Sequence, residues 1–141
     1  MKLFQLLALV LLPALGAAQS VPAPALKREL DSILVVDQRY RELSNQASAP
    51  EGAKSVAATL GIAAPQVPRY LMNKMLEVDS SNIRRIAQLV RQHGYPGKSL
   101  VGSPANETAF YVIQHSKRIP RYLPLVKQAA QRGELPSTST P

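Results

Sequence analysis

The sequence contains no cysteine and no tryptophan. Without thiols it can form no disulfide framework, zinc ribbon or thiol nucleophile, and no cysteine is present to carry a lipoprotein anchor. There is no Gly-x-Ser-x-Gly elbow to present a serine nucleophile and no His-x-x-x-His pair to hold a metal. Gly97-Lys98-Ser99 has the look of a phosphate loop. The glycine required five positions earlier is Gln92, however, and a helix rather than a strand is predicted before it. Strand-type alternation is missing throughout, and no apolar run after residue 18 is long enough to span a bilayer. Carboxylates are scarce too: 9 acidic side chains face 17 basic ones, for a formal net charge of +8.

What is present begins with a leader. Met1-Lys2 is a short positive start, Leu3 to Leu15 is apolar apart from Gln5 and Pro13, and Gly16-Ala17-Ala18 supplies small residues before Gln19. This order predicts a secretory signal over 1–18, cleaved after Ala18, and a secreted or periplasmic protein. Residues 19–25 read as a Pro/Ala-rich tether, 26–135 as one small helical domain, and 136–141 as a disordered tail. The mature chain keeps a charge close to +7, which can attract an anionic envelope polymer. Its basic residues never run longer than two, so we do not expect nucleic acid as a partner.

Apolar spacings of three and four residues predict an all-α bundle of four or five helices. Leu26, Leu30, Ile33, Leu34 and Tyr40 set the first helix, over 26–43. The stretch around 44–64 is rich in Ser, Asn, Ala, Gly and Pro and reads as an irregular loop with room for a short helix at 53–60. Tyr70, Leu71, Met75 and Val78 resume the pattern, and Ile83, Ile86, Ala87 and Val90 continue it. Between them, Asp79-Ser80-Ser81-Asn82 either caps a new helix or lies within a longer one. Gly94 predicts a positive-φ stop and Pro96 bars continuation. Lys98 to Gly102 reads as a connector. Ser103-Pro104 then reads as cap and first position of the next helix, and Tyr122 to Arg132 as the last, stopped by Gly133 with Leu135 folding back.

The candidate chemistry gathers on few residues. His115 can serve as base, acid or ligand near neutral pH, and Gln114 beside it is polar where an apolar face ends. The plain alternative is a helix-end histidine bonded to free carbonyls. Asp37 and Arg41 share a helix face, either as a surface ion pair or as part of a pocket. Asp79 and Asn82 are natural caps; alternatively, Asp79 or Asp37 orients the His115 ring, with Asn82, Arg41 and Gln114 binding at the same cleft. His93 reads as a surface or C-terminal residue. No cofactor is expected and no metal ligand set is assigned.

The elements Asp37-Gln38…Arg41, Asp79-x-x-Asn82, Gly94-Tyr-Pro-Gly-Lys-Ser-Leu-Val-Gly102 and Ile113-Gln114-His115 together resemble a bacterial family of uncharacterised exported domains. The resemblance covers 26–135. It implies a helical fold and favours a functional role for His115, but supplies no activity. Members of that family continue past a Gly-Glu-Leu like Gly133-Glu134-Leu135 into a segment with an Asp-Arg pair and a Gly-x-x-Gln-x-Tyr-Gly motif, which is missing here. The leading expectation is therefore an exported helical binding or structural module of unknown partner. A small hydrolase-like enzyme using His115 with Asp79 or Asp37 is the alternative, and a basic module on an anionic polymer the third.

Overall fold

The computed structural model describes residues 23–136. The leader, most of the tether and residues 137–141 lie outside the described residues. Six α-helices follow one another: α1 (Pro24–Gln46), α2 (Pro50–Leu60), α3 (Val67–His93), α4 (Lys98–Val101), α5 (Thr108–His115) and α6 (Ile119–Gln131). Short 3₁₀ turns at Ala64–Gln66 and Ala105–Glu107 lead into α3 and α5. Among the described residues there is no strand, and no helix is long and apolar enough to cross a membrane.

α1 starts at Pro24, within the stretch read as tether, because proline suits a first helical turn. Its buried residues are Leu26, Leu30, Ile33 and Asp37. These lie at spacings of four, three and four, so Asp37 occupies the next register position of the apolar stripe. α3 is one unbroken helix of 27 residues, about 40 Å long. The Asp79–Asn82 stretch therefore caps nothing: packing along the helix outweighs the modest preference of these residues for ends. α1 and α3 lie antiparallel, as the pairs Glu29–Arg85, Ile33–Asn82 and Arg41–Met75 require.

The stretch 44–64 is less irregular than expected: the short helix allowed at 53–60 is there and begins earlier, at Pro50. Pro50 opens α2 with Glu51 in its first turn, and Gly61, at φ 66° and ψ 32°, closes it. α2 forms because it has something to cover: Val56 and Ala57 bury against Val67 and Leu71 in a small cluster that also takes in Tyr40 and Leu43. A larger cluster fills the other end, joining Leu30 and Ile33 of α1, Ile83 and Ile86 of α3, Val112 of α5, Val126 of α6 and the returning Leu135. Between the clusters, α1 and α3 present Asp37 and Asn82, both buried. A polar layer thus separates two apolar ones.

Three boundaries differ from expectation. Pro104 precedes a 3₁₀ turn, so α5 begins only at Thr108. Lys98–Val101 is a single helical turn. α6 starts at Ile119, with Pro120 in its first turn and Pro124 inside it. Gly94 closes α3 at φ 72° and ψ −161°, a conformation only glycine adopts easily. The turn that follows is tied to the chain's end. The Tyr95 hydroxyl donates to the Asn106 carbonyl at 2.9 Å. The Glu134 carboxylate accepts from the Ser99 backbone N–H at 2.8 Å and from its hydroxyl at 2.6 Å. The Glu134 carbonyl accepts from Asn106 Nδ2 at 2.8 Å and from the Lys98 N–H at 3.1 Å.

Candidate functional site

The last turn of α5 brings His115 against the middle of α1. Its Nδ1 lies 2.9 Å from Asp37 Oδ2, and the Asp37 side chain is fully buried while the ring keeps 21% of its surface exposed. Gln38 Nε2 donates to the same oxygen at 2.8 Å. Arg41, one turn along α1, sits with Nε 3.7 Å from Asp37 Oδ2, which is ion-pair range but too long for a hydrogen bond. Its other end bonds to Asp79 on α3, so one guanidinium serves two carboxylates. Arg41 Nη1 also lies 3.8 Å from Met75 Sδ. Asn82 makes a long bond of 3.5 Å to the Ile33 carbonyl and turns its amide dipole toward Asp37.

Asp37, Arg41, Asp79, Asn82 and His115 are therefore brought together. Gln114 is not: it points outward and is exposed. His93 ends α3 as an exposed residue. The reading of Asp37–Arg41 as a surface pair fails, because the carboxylate lies on the buried stripe.

Burial on its own would raise the Asp37 carboxyl. The His115 hydrogen bond, the charges of His115 and Arg41, and the Asn82 amide outweigh it, so the group stays below its ordinary value of 3.8. An ionised carboxylate only accepts, so the proton of the contact sits on His115 Nδ1. This assignment rests on the hydrogen-bond network. Nε2 is left without a partner among the described residues and is the nitrogen available to a ligand.

The same shift sets an acid limit. As pH falls, the unfolded chain takes up the Asp37 proton first. The stability that the ionised group contributes is thus fully present above about pH 4 and is lost as pH drops below 3.8 through the lower folded value. Urea midpoints measured from pH 6 to pH 2 should fall more steeply for the native protein than for Asp37→Asn. Parallel curves would show that Asp37 is not held in its charged form.

A cleft of about 420 Å³ opens beside His115. Asp79, Ile83 and Leu76 of α3 form one wall, and Ser116, Lys117 and Arg118 of the α5–α6 turn form the other. The Ser116 hydroxyl donates to the Ile113 carbonyl at 2.8 Å and accepts from the Arg118 N–H at 3.1 Å, which fixes that turn. Sequence reasoning missed this wall. Its one signal is the basic pair Lys117-Arg118, separated from His115 by Ser116 alone.

Asp37, Asp79 and His115 each offer a ligand atom within 4.8 Å of the others, the one such group among the described residues. A cation could enter only by displacing Arg41, which already bridges both carboxylates. The arrangement as it stands can hold an imidazole in one tautomer and move a proton at Nε2.

No curated protein and no solved structure matches the chain. The profile of DUF6624, a family of unknown function, matches residues 26–137. That span holds every residue of the site, and the chain belongs to this family.

Proposed function

We propose that this domain is a small acid–base catalyst of hydrolase type, with His115 as the group that moves the proton and Asp37 as its positioning residue. The observation that carries this reading is the 2.9 Å contact between His115 Nδ1 and a fully buried Asp37, with the ring edging the cleft. A carboxylate behind an imidazole selects the tautomer and stabilises the imidazolium that forms during turnover. Nε2 would take a proton from water as the water oxygen bonds to the electrophilic centre. It would then return that proton to the leaving group. Asp79 and Arg41 neutralise each other beside the ring, and Asn82 steadies Asp37 from α3.

The competing reading is the binding or structural module, in which the polar layer only fixes α1 on α3. Turnover of a panel of small chromogenic esters and phosphoesters separates the two. His115→Gln should reduce any activity found by about 10²–10⁴-fold, while the chain stays folded at assay temperature. Activity that survives in His115→Gln, or a panel with no turnover at all, favours the module.

We also infer that the protein is an exported bacterial domain. The support is the order Lys2, Leu3–Leu15, Gly16–Ala18. N-terminal sequencing of the exported form should start at Gln19, and an intact Met1 would refute it.

A further inference from the structure

The cleft carries charge that the His115–Asp37 pair does not use. Arg84, Lys117 and Arg118 line it, and all three are exposed. None has an ion-pair partner among the described residues. Some surface cations do: Arg85, the next residue to Arg84, is held by Glu29 at 2.8 Å, and Lys27, Lys54 and Lys74 each pair with a carboxylate on their own helix. Others, such as the exposed Arg28, Arg69 and Arg91, do not, so the cleft is set apart by three such cations lining one cavity. The only carboxylate lining the cleft is Asp79, which Arg41 already neutralises. The cleft is thus a place where positive charge is gathered and left without a counterion from the chain.

Its shape and walls narrow the ligand further. A volume of about 420 Å³ suits a small molecule rather than a polymer strand. Leu76, which is half exposed, and Ile83 give one wall an apolar character. The Lys117-Arg118 turn is held by the two Ser116 hydrogen bonds, so these cations project from a fixed backbone. Two guanidinium groups and one ammonium suit a tetrahedral oxyanion with several charged oxygens better than a single carboxylate.

We propose that the cleft takes a small phosphate ester or a like multivalent oxyanion ester, its anionic group against Arg84, Lys117 and Arg118 and its apolar arm against Leu76 and Ile83. This names the ligand class of the site described above. It rests on the acid–base reading only for the ligand being a substrate.

The test is an amide chemical-shift titration of the purified chain at constant ionic strength, with phenyl phosphate, inorganic phosphate and benzyl alcohol as probes. Phenyl phosphate should bind saturably, moving the amides of Ile83, Arg84 and Ser116 to Arg118. Inorganic phosphate should bind more weakly at the same amides, and benzyl alcohol should not saturate. The triple variant Arg84→Gln/Lys117→Gln/Arg118→Gln should weaken phenyl phosphate binding by about tenfold or more. A control triple, Lys54→Gln/Lys74→Gln/Lys127→Gln, should leave it unchanged. Equal weakening in both triples, or no saturable binding of phenyl phosphate, overturns the proposal. The outcome separates the two readings. Phenyl phosphate binding without His115-dependent chemistry keeps the ligand class and removes the catalyst. His115-dependent turnover of a neutral ester by a chain that does not bind phenyl phosphate does the reverse.

Discussion

Replacing Arg41 with methionine should destabilise the domain by about 3 kcal/mol, the low end of what removing one partner of a buried ion pair costs. The low end applies because Arg41 keeps 23% of its side chain exposed, and water can soften the loss. The cost arises from what remains. Asp37 is fully buried and Asp79 is 15% exposed, and a single guanidinium lies between them. Methionine keeps an unbranched stem but removes the guanidinium, and with it the charge and the contact with Met75 Sδ. Two carboxylates then face each other, with the His115 and Gln38 contacts and the Asn82 amide on Asp37 left to offset the repulsion. Urea unfolding at pH 7 measures the loss. Adding Asp79→Asn to Arg41→Met should recover a substantial part of it, since the second negative charge is gone. An additive double variant would mean that the bridge is not what holds this layer.

Gly97→Ala should cost about 1–3 kcal/mol through overpacking. A Cβ at Gly97 would stand 2.6 Å from Glu134 Cβ and 2.9 Å from its Cδ. The root of the side chain cannot swing aside as its tip could, and the tip is itself held by two bonds from Ser99. The clash must therefore push the Gly133–Leu135 segment off the turn, and Leu135 is buried in the main cluster. A Glu134→Gly background should remove most of the penalty. An equal penalty in both backgrounds would place the cost in the backbone of Gly97 instead.

The helices of this chain are legible wherever apolar residues recur at helical spacing. α1 and both halves of α3 follow directly from Leu26, Leu30, Ile33, Leu71, Ile83 and Ile86. α2 was legible only as room for a short helix at 53–60, because its buried face is only Val56 and Ala57, and alanine at a core position looks the same as alanine in a loop. Asp79 and Asn82 left two readings open: their local preference is for helix ends, and only the facing surface of α1 explains their place mid-helix. The site was legible in part. Asp37 follows Leu26, Leu30 and Ile33 in register, so its burial could be read from spacing, and Asp37 and Arg41 share a face. That His115 reaches Asp37 rather than Asp79 depends on where the α5 end falls across α1, which no local pattern encodes. Arg84, Lys117 and Arg118 look like any exposed cations until the cleft between α3 and the α5–α6 turn is known. Gln114, polar and next to His115, is exposed and has no part in the cluster.

The contact between Glu134 and the Gly97–Ser99 turn has a mechanical consequence. α6, with 13 residues, is a rod about 20 Å long. One end continues directly from Ser116, Lys117 and Arg118, and the other is fastened through Glu134. A rod anchored at its far end cannot pivot freely at its near end, so the Glu134 fastening helps fix the angle at which the two cations overhang the cleft. The mouth of the site is in this sense braced from the opposite end of the domain. Slackening at Gly97→Ala should appear as shifted amide resonances at Lys117 and Arg118, far from the substituted residue.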